Sequence, residues 1–159
     1  YGDEWHNEPF SDRTLGEAVL TPSRIYTQAV VDMFGGYNGE PKAKVHGVAH
    51  ITGGGIPEKL GRMLKPSGLG AVIDKPFIPP QIMAHVQRTG YVTDEEAYET
   101  WNMGQGMVIA TPDERSVIKV AQQHGIEAKK IGKVTSAPGI AIVSGGAESY
   151  QKTLHFNID

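Results

Sequence analysis

The sequence contains no cysteine, which excludes disulfide bonds, thiol catalysis and cysteine-ligated metal centres. It also lacks any apolar run approaching the roughly 20 residues that a membrane-spanning helix needs. The first ten residues, YGDEWHNEPF, do not have the pattern of a secretory signal peptide. These absences are typical of a cytoplasmic protein, and we expect a cytoplasmic location and no membrane partner.

The sequence also has no large excess of either positive or negative charge. The 159 residues carry 15 Lys or Arg and 18 Asp or Glu, a formal net charge of −3. No cluster of basic residues interleaved with aromatic residues is present, so we expect no nucleic-acid partner. The length fits one domain that buries roughly two-thirds of its unfolded surface. Because the sequence begins with Tyr rather than Met, we expect it to be either processed or cut from a longer chain.

Glycine and proline are plentiful, at 20 and 10 residues, and they separate short periodic segments. Read in order, these segments predict helices and strands arranged α-β-α-β-α-α-β-α-β-β-β. Because strands and helices do not alternate strictly, we predict an α+β fold with a mixed, mostly antiparallel sheet flanked by helices. Residues 1–20 are predicted to form an extended lead-in that ends in a short helix near Leu15–Val19. Residues 21–159 are predicted to form the domain itself.

Two of the predicted helices have recognisable start signals. The segment TPSRIYTQAVVDMFGG predicts a helix that begins at Thr21-Pro22 and has Ile25 in its buried stripe. The segment VTDEEAYETWNM predicts a capping box formed by Thr93 and Glu96. The carboxylates Asp94, Glu95, Glu96 and Glu99 are predicted to form an acidic helix start and a solvated face, and to take no part in catalysis.

Three consecutive glycines between a predicted strand and a predicted helix form the most distinctive local feature. In VHGVAHITGGGIPEKL, the turn is Thr52-Gly53-Gly54-Gly55, and Pro57 lies in the first turn of the helix. Glycine N–H groups and a helix N-terminus can together bind an anion. The pattern is neither a P-loop nor a dinucleotide fingerprint, and Glu58 already complements the helix dipole. From the pattern alone, a tight turn and an anion site both remain open.

Two histidines lie in the strand before these glycines. His46 and His50 are four residues apart, so a strand would place them on one face. No third ligand follows at a useful spacing, and we predict no metal site. We interpret His46 as structural. His50 lies at the C-terminal end of the strand, where open sheets bind ligands, and both a structural and a functional role stay open.

Two further segments carry polar candidates. In TWNMGQGM, Gly104 and Gly106 are predicted on one face of a strand. Because glycine has no side chain, either a packed helix or a ligand could approach the backbone closely here. In the second case the Asn102 amide would contact the edge of the ligand. In TPSRIY, Arg24 near the predicted helix start is either a bidentate phosphate ligand or part of a surface ion pair.

These segments occur in an order that resembles the C-terminal half of aminoimidazole ribonucleotide synthetase, also called phosphoribosylformylglycinamidine cyclo-ligase. The similar segments are LTPSRIY, GVAHITGGGIPEKLGRMLKPSGLGAVID, EEAYETWNMGQGMVIATP and KKIGKV, which cover roughly residues 15 to 134. The combination of AHITGGG and NMGQGM at this separation is more specific than either motif alone. The resemblance therefore favours the anion-site interpretation of the glycines.

The resemblance implies a two-domain, dimeric enzyme of purine biosynthesis that uses ATP and Mg²⁺ to close an imidazole ring. The family's amino-terminal domain, which holds most of the ATP and magnesium, has no counterpart in this sequence. This chain alone is therefore expected to be inactive. Carried over to this numbering, the resemblance implies substrate or phosphate contacts for Thr52, Gly53, Gly54 and Gly55, a catalytic candidate in His50, and groove residues Asn102, Gly104 and Arg24.

Two alternatives accompany this interpretation. Selenophosphate synthetase, thiamin-monophosphate kinase and the hydrogenase maturation factor share the architecture and act on other substrates, although the spelling AHITGGG favours the purine enzyme. The other alternative is a non-catalytic binding or assembly module built on the same fold.

Overall fold

A computed structural model describes residues 1–158 of the chain. In this range the helices are α1 (Leu15–Val19), α2 (Thr27–Met33), α3 (Gly55–Leu64), α4 (Gln81–Gly90), α5 (Asp94–Thr100) and α6 (Glu114–Gln123). The strands are β1 (Pro9–Phe10), β2 (Arg13–Thr14), β3 (Gly47–His50), β4 (Gly70–Ile73), β5 (Met107–Ala110), β6 (Gly132–Thr135), β7 (Gly139–Val143) and β8 (Thr153–Phe156). None of these helices combines the length and apolar character needed to cross a membrane.

Two sheets form the frame of the domain. The larger sheet has the strand order β6-β4-β7-β8, in which β4 and β7 are parallel and the other pairs are antiparallel. The smaller sheet pairs β3 with β5 in antiparallel register, so that His50 lies opposite Met107. A short hairpin of β1 and β2 precedes them. The prediction of an α+β fold with a mixed, mostly antiparallel sheet and flanking helices is confirmed.

The main core lies between α3 and the larger sheet. On β7, the alternation of a strand turns Ile140 and Ile142 inward, and both are buried. Helix α3 presents Ile56, Leu60 and Leu64 to the same core at helical spacing. Full burial of each such side chain contributes about 1.5–3 kcal/mol. This packing fixes α3, and with it the glycine turn at its start.

A second, smaller core joins α2 to α6. Its buried residues are Met33, Ala43, Val117, Val120 and Ala121. Asp32 on α2 adds polar contacts, 2.6 Å from the Lys42 ammonium and 3.1 Å from Nε2 of His124. This cluster shares no buried residue with the main core, so a change within it can serve as a control for changes near α3 and α5.

The predicted start of α2 at Thr21-Pro22 is wrong. Residues 21–26 are irregular, and the helix begins at Thr27 without a capping side chain. Ile25, which was predicted in the buried stripe, is 80% exposed. A Thr-Pro pair permits a helix start, but packing decides where a short helix forms. Here the helix begins where Ala29 and Met33 reach buried positions.

The first twenty residues contain more structure than the predicted extended lead-in. The helix predicted near Leu15–Val19 is confirmed as α1, and Thr14 and Glu17 form its capping box. The hairpin of β1 and β2 was missed, because two-residue strands leave no period to detect. Phe10 packs edge-on against His85 of α4, with ring centroids 5.2 Å apart. The division of the chain at residue 20 stays a prediction.

Candidate functional site

The glycine turn joins the end of β3 to the first turn of α3. Thr52 and Gly53 are exposed. Gly54 has a φ of 92° and Gly55 a φ of 58°, backbone conformations that favour glycine. The Gly55 N–H donates to the Thr52 carbonyl at 3.0 Å and closes the turn. A tight turn is therefore present, and its use as an anion site stays a prediction.

Gly55 is also the point at which α3 packs against α5. A Cβ atom on Gly55 would overlap the Tyr98 carbonyl oxygen and would lie 2.9 Å from the Trp101 carbonyl oxygen. These carbonyls belong to the C-terminal end of α5, so no side chain fits between the two helices here. The position of α5 therefore sets the position of the glycine turn.

The carboxylate of Glu58 lies over Gly54. It is held there by the Lys59 ammonium at 2.9 Å and by the Arg62 guanidinium one turn further along α3. The hydrogen bond from Lys59, followed by the attraction of both cations, outweighs partial burial and lowers the pKa of Glu58. A negative charge thus already occupies the N-terminal end of α3. An incoming phosphate would displace Glu58 and would meet Lys59 and Arg62.

His50 lies on the exposed end of β3, beside the turn. Its ring centroid is 6.0 Å from that of Tyr26, at an interplanar angle of 65°. The Tyr26 hydroxyl occupies the place where a side chain on Gly106 would be. The Gly106 carbonyl accepts the Ile51 N–H at 3.0 Å, which extends the pairing of β3 with the chain before β5. Close packing by Tyr26 therefore explains Gly106, and His50 remains accessible to a ligand at the turn.

The segment from Asn102 to Gly106 is a loop, and the prediction that Gly104 and Gly106 lie in a strand is wrong. Strand β5 begins only at Met107. Gly104 has a φ of 86°, and a Cβ atom on it would lie 3.0 Å from the Ile78 carbonyl oxygen. The Asn102 Oδ1 atom accepts the Gly104 N–H at 3.0 Å, so this side chain shapes its own loop. A left-handed turn and a close approach, rather than a strand face, require glycine here.

Arg24 lies in the irregular segment before α2. Its guanidinium donates to the Gly125 carbonyl at 3.2 Å, beyond the C-terminal end of α6, where the helix dipole favours a cation. The phosphate contact predicted for Arg24 stays a prediction. The structure brings the other candidates together at one edge of the domain: His50, Thr52, Gly53, Gly54, Gly55, Asn102 and Gly104.

A cleft of about 440 Å³ lies between β5 and β6, which are not paired with each other. Its walls are mainly apolar side chains from α2, α3, α6 and the neighbouring strands, and Arg24, Tyr26 and Gly104 also line it. Its size is within the range of small-molecule sites. The residues of the glycine turn do not line this cleft, so the cleft and the turn are separate features.

No cluster of potential metal ligands is present in the part of the chain that the structure describes. Within residues 1–158, no three His, Asp or Glu side chains converge so as to hold a metal ion. Glu58, the carboxylate beside the turn, is engaged by Lys59 and Arg62. In nucleotide sites Mg²⁺ is usually held by one or two carboxylates together with phosphate oxygens, and the Glu58 carboxylate is already paired with two cations.

The prediction that Asp94 lies on a solvated face is wrong. Its side chain is fully buried at the start of α5 and accepts hydrogen bonds from Gln87, Ser144 and two backbone N–H groups. Burial alone would raise the pKa of Asp94, but these hydrogen bonds outweigh it and lower the pKa. The sequence does contain an indication that Asp94 is buried. Asp94 precedes the buried Ala97 and Tyr98 by three and four residues, which places it on the inward face of the helix.

Residues 2–145 match the protein family described as AIR synthase related protein, C-terminal domain. The chain belongs to this family. The resemblance inferred from the motifs is thereby confirmed. This AIR synthase related domain is also similar to curated enzymes named phosphoribosylformylglycinamidine cyclo-ligase.

Three such relatives match between 80% and 90% of the chain. The enzyme of Clostridium novyi is 39% identical over 131 residues, which make up 80% of this chain and 37% of the relative. That of Bacillus subtilis is 39% identical over 143 residues, or 88% of this chain and 38% of the relative. That of Methanopyrus kandleri is 36% identical over 145 residues, or 90% of this chain and 39% of the relative. The AIR synthase related domain thus spans less than half the length of these relatives.

Proposed function

We propose that this domain is the carboxyl-terminal part of a phosphoribosylformylglycinamidine cyclo-ligase, and that the glycine turn with His50 forms one wall of its substrate-binding groove. The observation that carries the proposal is the similarity of 80–90% of the chain to enzymes of that name. The geometry supports it, because β3–β5 pairing and α3–α5 packing gather the AHITGGG and NMGQGM motifs at one edge of the domain.

The reaction proposed for the complete enzyme is the ATP-dependent closure of an imidazole ring. The formyl oxygen of formylglycinamidine ribonucleotide attacks the terminal phosphorus of ATP, and ADP leaves. An amidine nitrogen then attacks the activated carbon, closes the ring and expels phosphate, giving aminoimidazole ribonucleotide. Catalysis of this kind depends mainly on positioning and on stabilisation of developing charge.

In this proposal the glycine turn holds an anionic part of the substrate. The exposed Thr52 and Gly53, with the N-terminal end of α3, approach the phosphate of the nucleotide. Glu58 moves aside and leaves Lys59 and Arg62 to neutralise the bound charge. Displacement of an internal carboxylate makes binding weaker than at a vacant helix terminus, but it selects for a fully charged ligand.

His50 is the proposed acid or base at the ring-closing atoms. It lies at the end of β3, within the same exposed edge as the turn, and an imidazole ring can both accept and donate a proton. Asn102 and Gly104 would border the groove on the other side of the turn. Arg24 would serve as a phosphate ligand only if it left the Gly125 carbonyl.

The remaining part of the enzyme is proposed to hold most of the ATP and Mg²⁺, because no group of three or more potential metal ligands converges within residues 1–158. Ile25, which precedes Tyr26 in the chain, and Ile78, whose carbonyl faces Gly104, are exposed by 80% and 81% and are proposed contacts for that part. We further propose that the complete enzyme is a cytoplasmic homodimer.

Inorganic phosphate is expected to shift the amide resonances of residues 53–56 when it is titrated into the domain and followed by NMR. Glu58→Gln keeps the size of the side chain but removes the competing charge, so the affinity for phosphate should rise about three- to tenfold. Glu40→Gln, an exposed loop change that removes the same charge, is the control and should leave the affinity unchanged. Amides at 53–56 that stay still in both the wild type and Glu58→Gln would exclude the turn as a phosphate site.

A further inference from the structure

Asp94 ties three parts of the domain together. Its Oδ1 atom accepts hydrogen bonds from Gln87 Nε2 of α4 at 2.8 Å and from the Glu148 N–H at 3.2 Å. Its Oδ2 atom accepts from the Ser144 hydroxyl and from the Ser149 N–H at 2.9 Å. The Asp94 oxygens are fully buried and have no access to water, so they depend on these four hydrogen bonds and hold the donors against them. Helix α5 is therefore anchored at its first residue to α4 and to the loop between β7 and β8.

Tyr98 provides a second tie one turn further along α5. Its side chain is fully buried, and its hydroxyl accepts the Gly145 N–H at 3.0 Å. Asp94 and Tyr98 lie on one face of the helix and contact the same loop, from Ser144 to Ser149. Together, the hydrogen bonds of Asp94 and Tyr98 to this loop hold α5 in a fixed rotation and position.

The opposite end of α5 carries both halves of the candidate site. The Tyr98 and Trp101 carbonyls press on Gly55, and the chain continues directly into Asn102 and the loop to Gly106. A helix is stiff along its axis, so a shift at its first residue is passed to its last. The absence of a side chain on Gly55 leaves no soft contact that could absorb such a shift.

We infer that Asp94 is a positioning residue for the phosphate-binding turn: it holds α5 against the Ser144–Ser149 loop, so that α5 fixes Gly55 on one side and Asn102 on the other. Asp94 does not touch the ligand. The inference rests on the proposed function where it concerns phosphate, and on the geometry of the domain alone where it concerns the turn.

Hydrogen exchange in the domain tests the geometric part without any ligand. Asp94→Asn is expected to speed exchange of the Gly55 N–H, which bonds to Thr52, and of the Gln105 N–H, which bonds to Asn102, about tenfold. Ser144→Ala, a milder change that leaves the carboxylate in place, should act in the same direction and less strongly. It is the variant to use if Asp94→Asn does not fold.

Two matched controls separate positioning from a general loss of stability. Val117→Ala opens the second core under α6 and loosens the fold without touching α5, so the exchange of Gly55 and Gln105 relative to the rest of the domain should stay unchanged. Glu95→Gln removes a charge from the neighbouring, exposed position of α5. It should leave the hydrogen exchange of Gly55 and Gln105 unchanged.

A phosphate titration of the same variants tests the functional part. Asp94→Asn should bind phosphate about tenfold more weakly at amides 53–56, while Val117→Ala keeps the wild-type affinity. Wild-type exchange at Gly55 and Gln105 in a folded Asp94→Asn domain would overturn the inference, as would equal acceleration by Val117→Ala. If neither the wild-type domain nor Glu58→Gln binds phosphate, the proposed phosphate site at the turn is overturned instead, and the exchange result still decides the role of Asp94.

Discussion

Gly55→Ala is expected to lower the melting temperature of the domain by roughly 6–12 °C, which corresponds to a loss of about 3 kcal/mol of unfolding free energy. The residue has a φ of 58°, and a Cβ atom would overlap the backbone carbonyl of Tyr98. A backbone carbonyl in the last turn of a helix cannot rotate away as a side chain would. The substitution must therefore push α3 and α5 apart, which opens the main core.

The neighbouring glycines are controls for this effect. A Cβ atom on Gly53 has no atom within 4 Å, and Gly53→Ala should change the unfolding free energy by no more than about 0.5 kcal/mol. Gly54→Ala meets the flexible Glu58 side chain but has a φ of 92°, so an intermediate loss is expected. Thermal unfolding followed by circular dichroism orders the three variants. Equal melting temperatures for Gly53→Ala and Gly55→Ala would contradict the proposed packing of α3 on α5.

Asp94→Asn is expected to lower the unfolding free energy at pH 7 by about 2–3 kcal/mol, because an amide nitrogen replaces one of the two acceptor oxygens. The expected effect depends on pH. The hydrogen bonds hold the pKa of Asp94 below its ordinary value, so the carboxylate stabilises the fold fully above the ordinary pKa. That stabilisation is lost as the pH falls below about 5 and through the folded-state pKa.

Urea unfolding of the wild type and of Asp94→Asn between pH 7 and pH 3 measures this difference. Both proteins should lose stability in acid, because Glu58 and Glu96 also have lowered pKa values. The gap between the two curves should narrow as the pH falls below the ordinary pKa of an aspartate, because the unfolded chain then binds a proton at Asp94 before the folded domain does. A gap that stays constant over the whole range would show that the charge of Asp94 does not contribute to stability.

Much of the fold follows from local signals. The capping box of Thr93 and Glu96 fixes the start of α5, and both of its hydrogen bonds are present. The glycines before α3 and Pro57 in its first turn were sufficient to place the start of that helix. The start of α2 could not be predicted in this way, since Thr21-Pro22 gives a start signal that only the packing of Ala29 and Met33 overrules.

The glycine turn of the candidate site could be predicted from the sequence, but the residues that hold the turn in position could not. The sequence indicated a tight turn at Gly54 and Gly55, and the structure shows the left-handed backbone that requires them. The roles of Gly104 and Asp94 depend on partners distant in the sequence, Ile78 and Ser144. A local pattern carries no information on such partners. For that reason the sequence did not distinguish the buried Asp94 from the exposed Glu95 beside it.

The most direct test of the account is an assay of ATP-dependent ring closure with and without the remaining part of the enzyme. The domain would be joined to the amino-terminal part of the Bacillus subtilis relative, in place of the segment that it matches at 39% identity. We predict no product from the domain alone and aminoimidazole ribonucleotide from the joined protein, with the rate reduced by His50→Ala. Ring closure and ATP turnover by the isolated domain, or a folded joined protein without activity, would contradict the account.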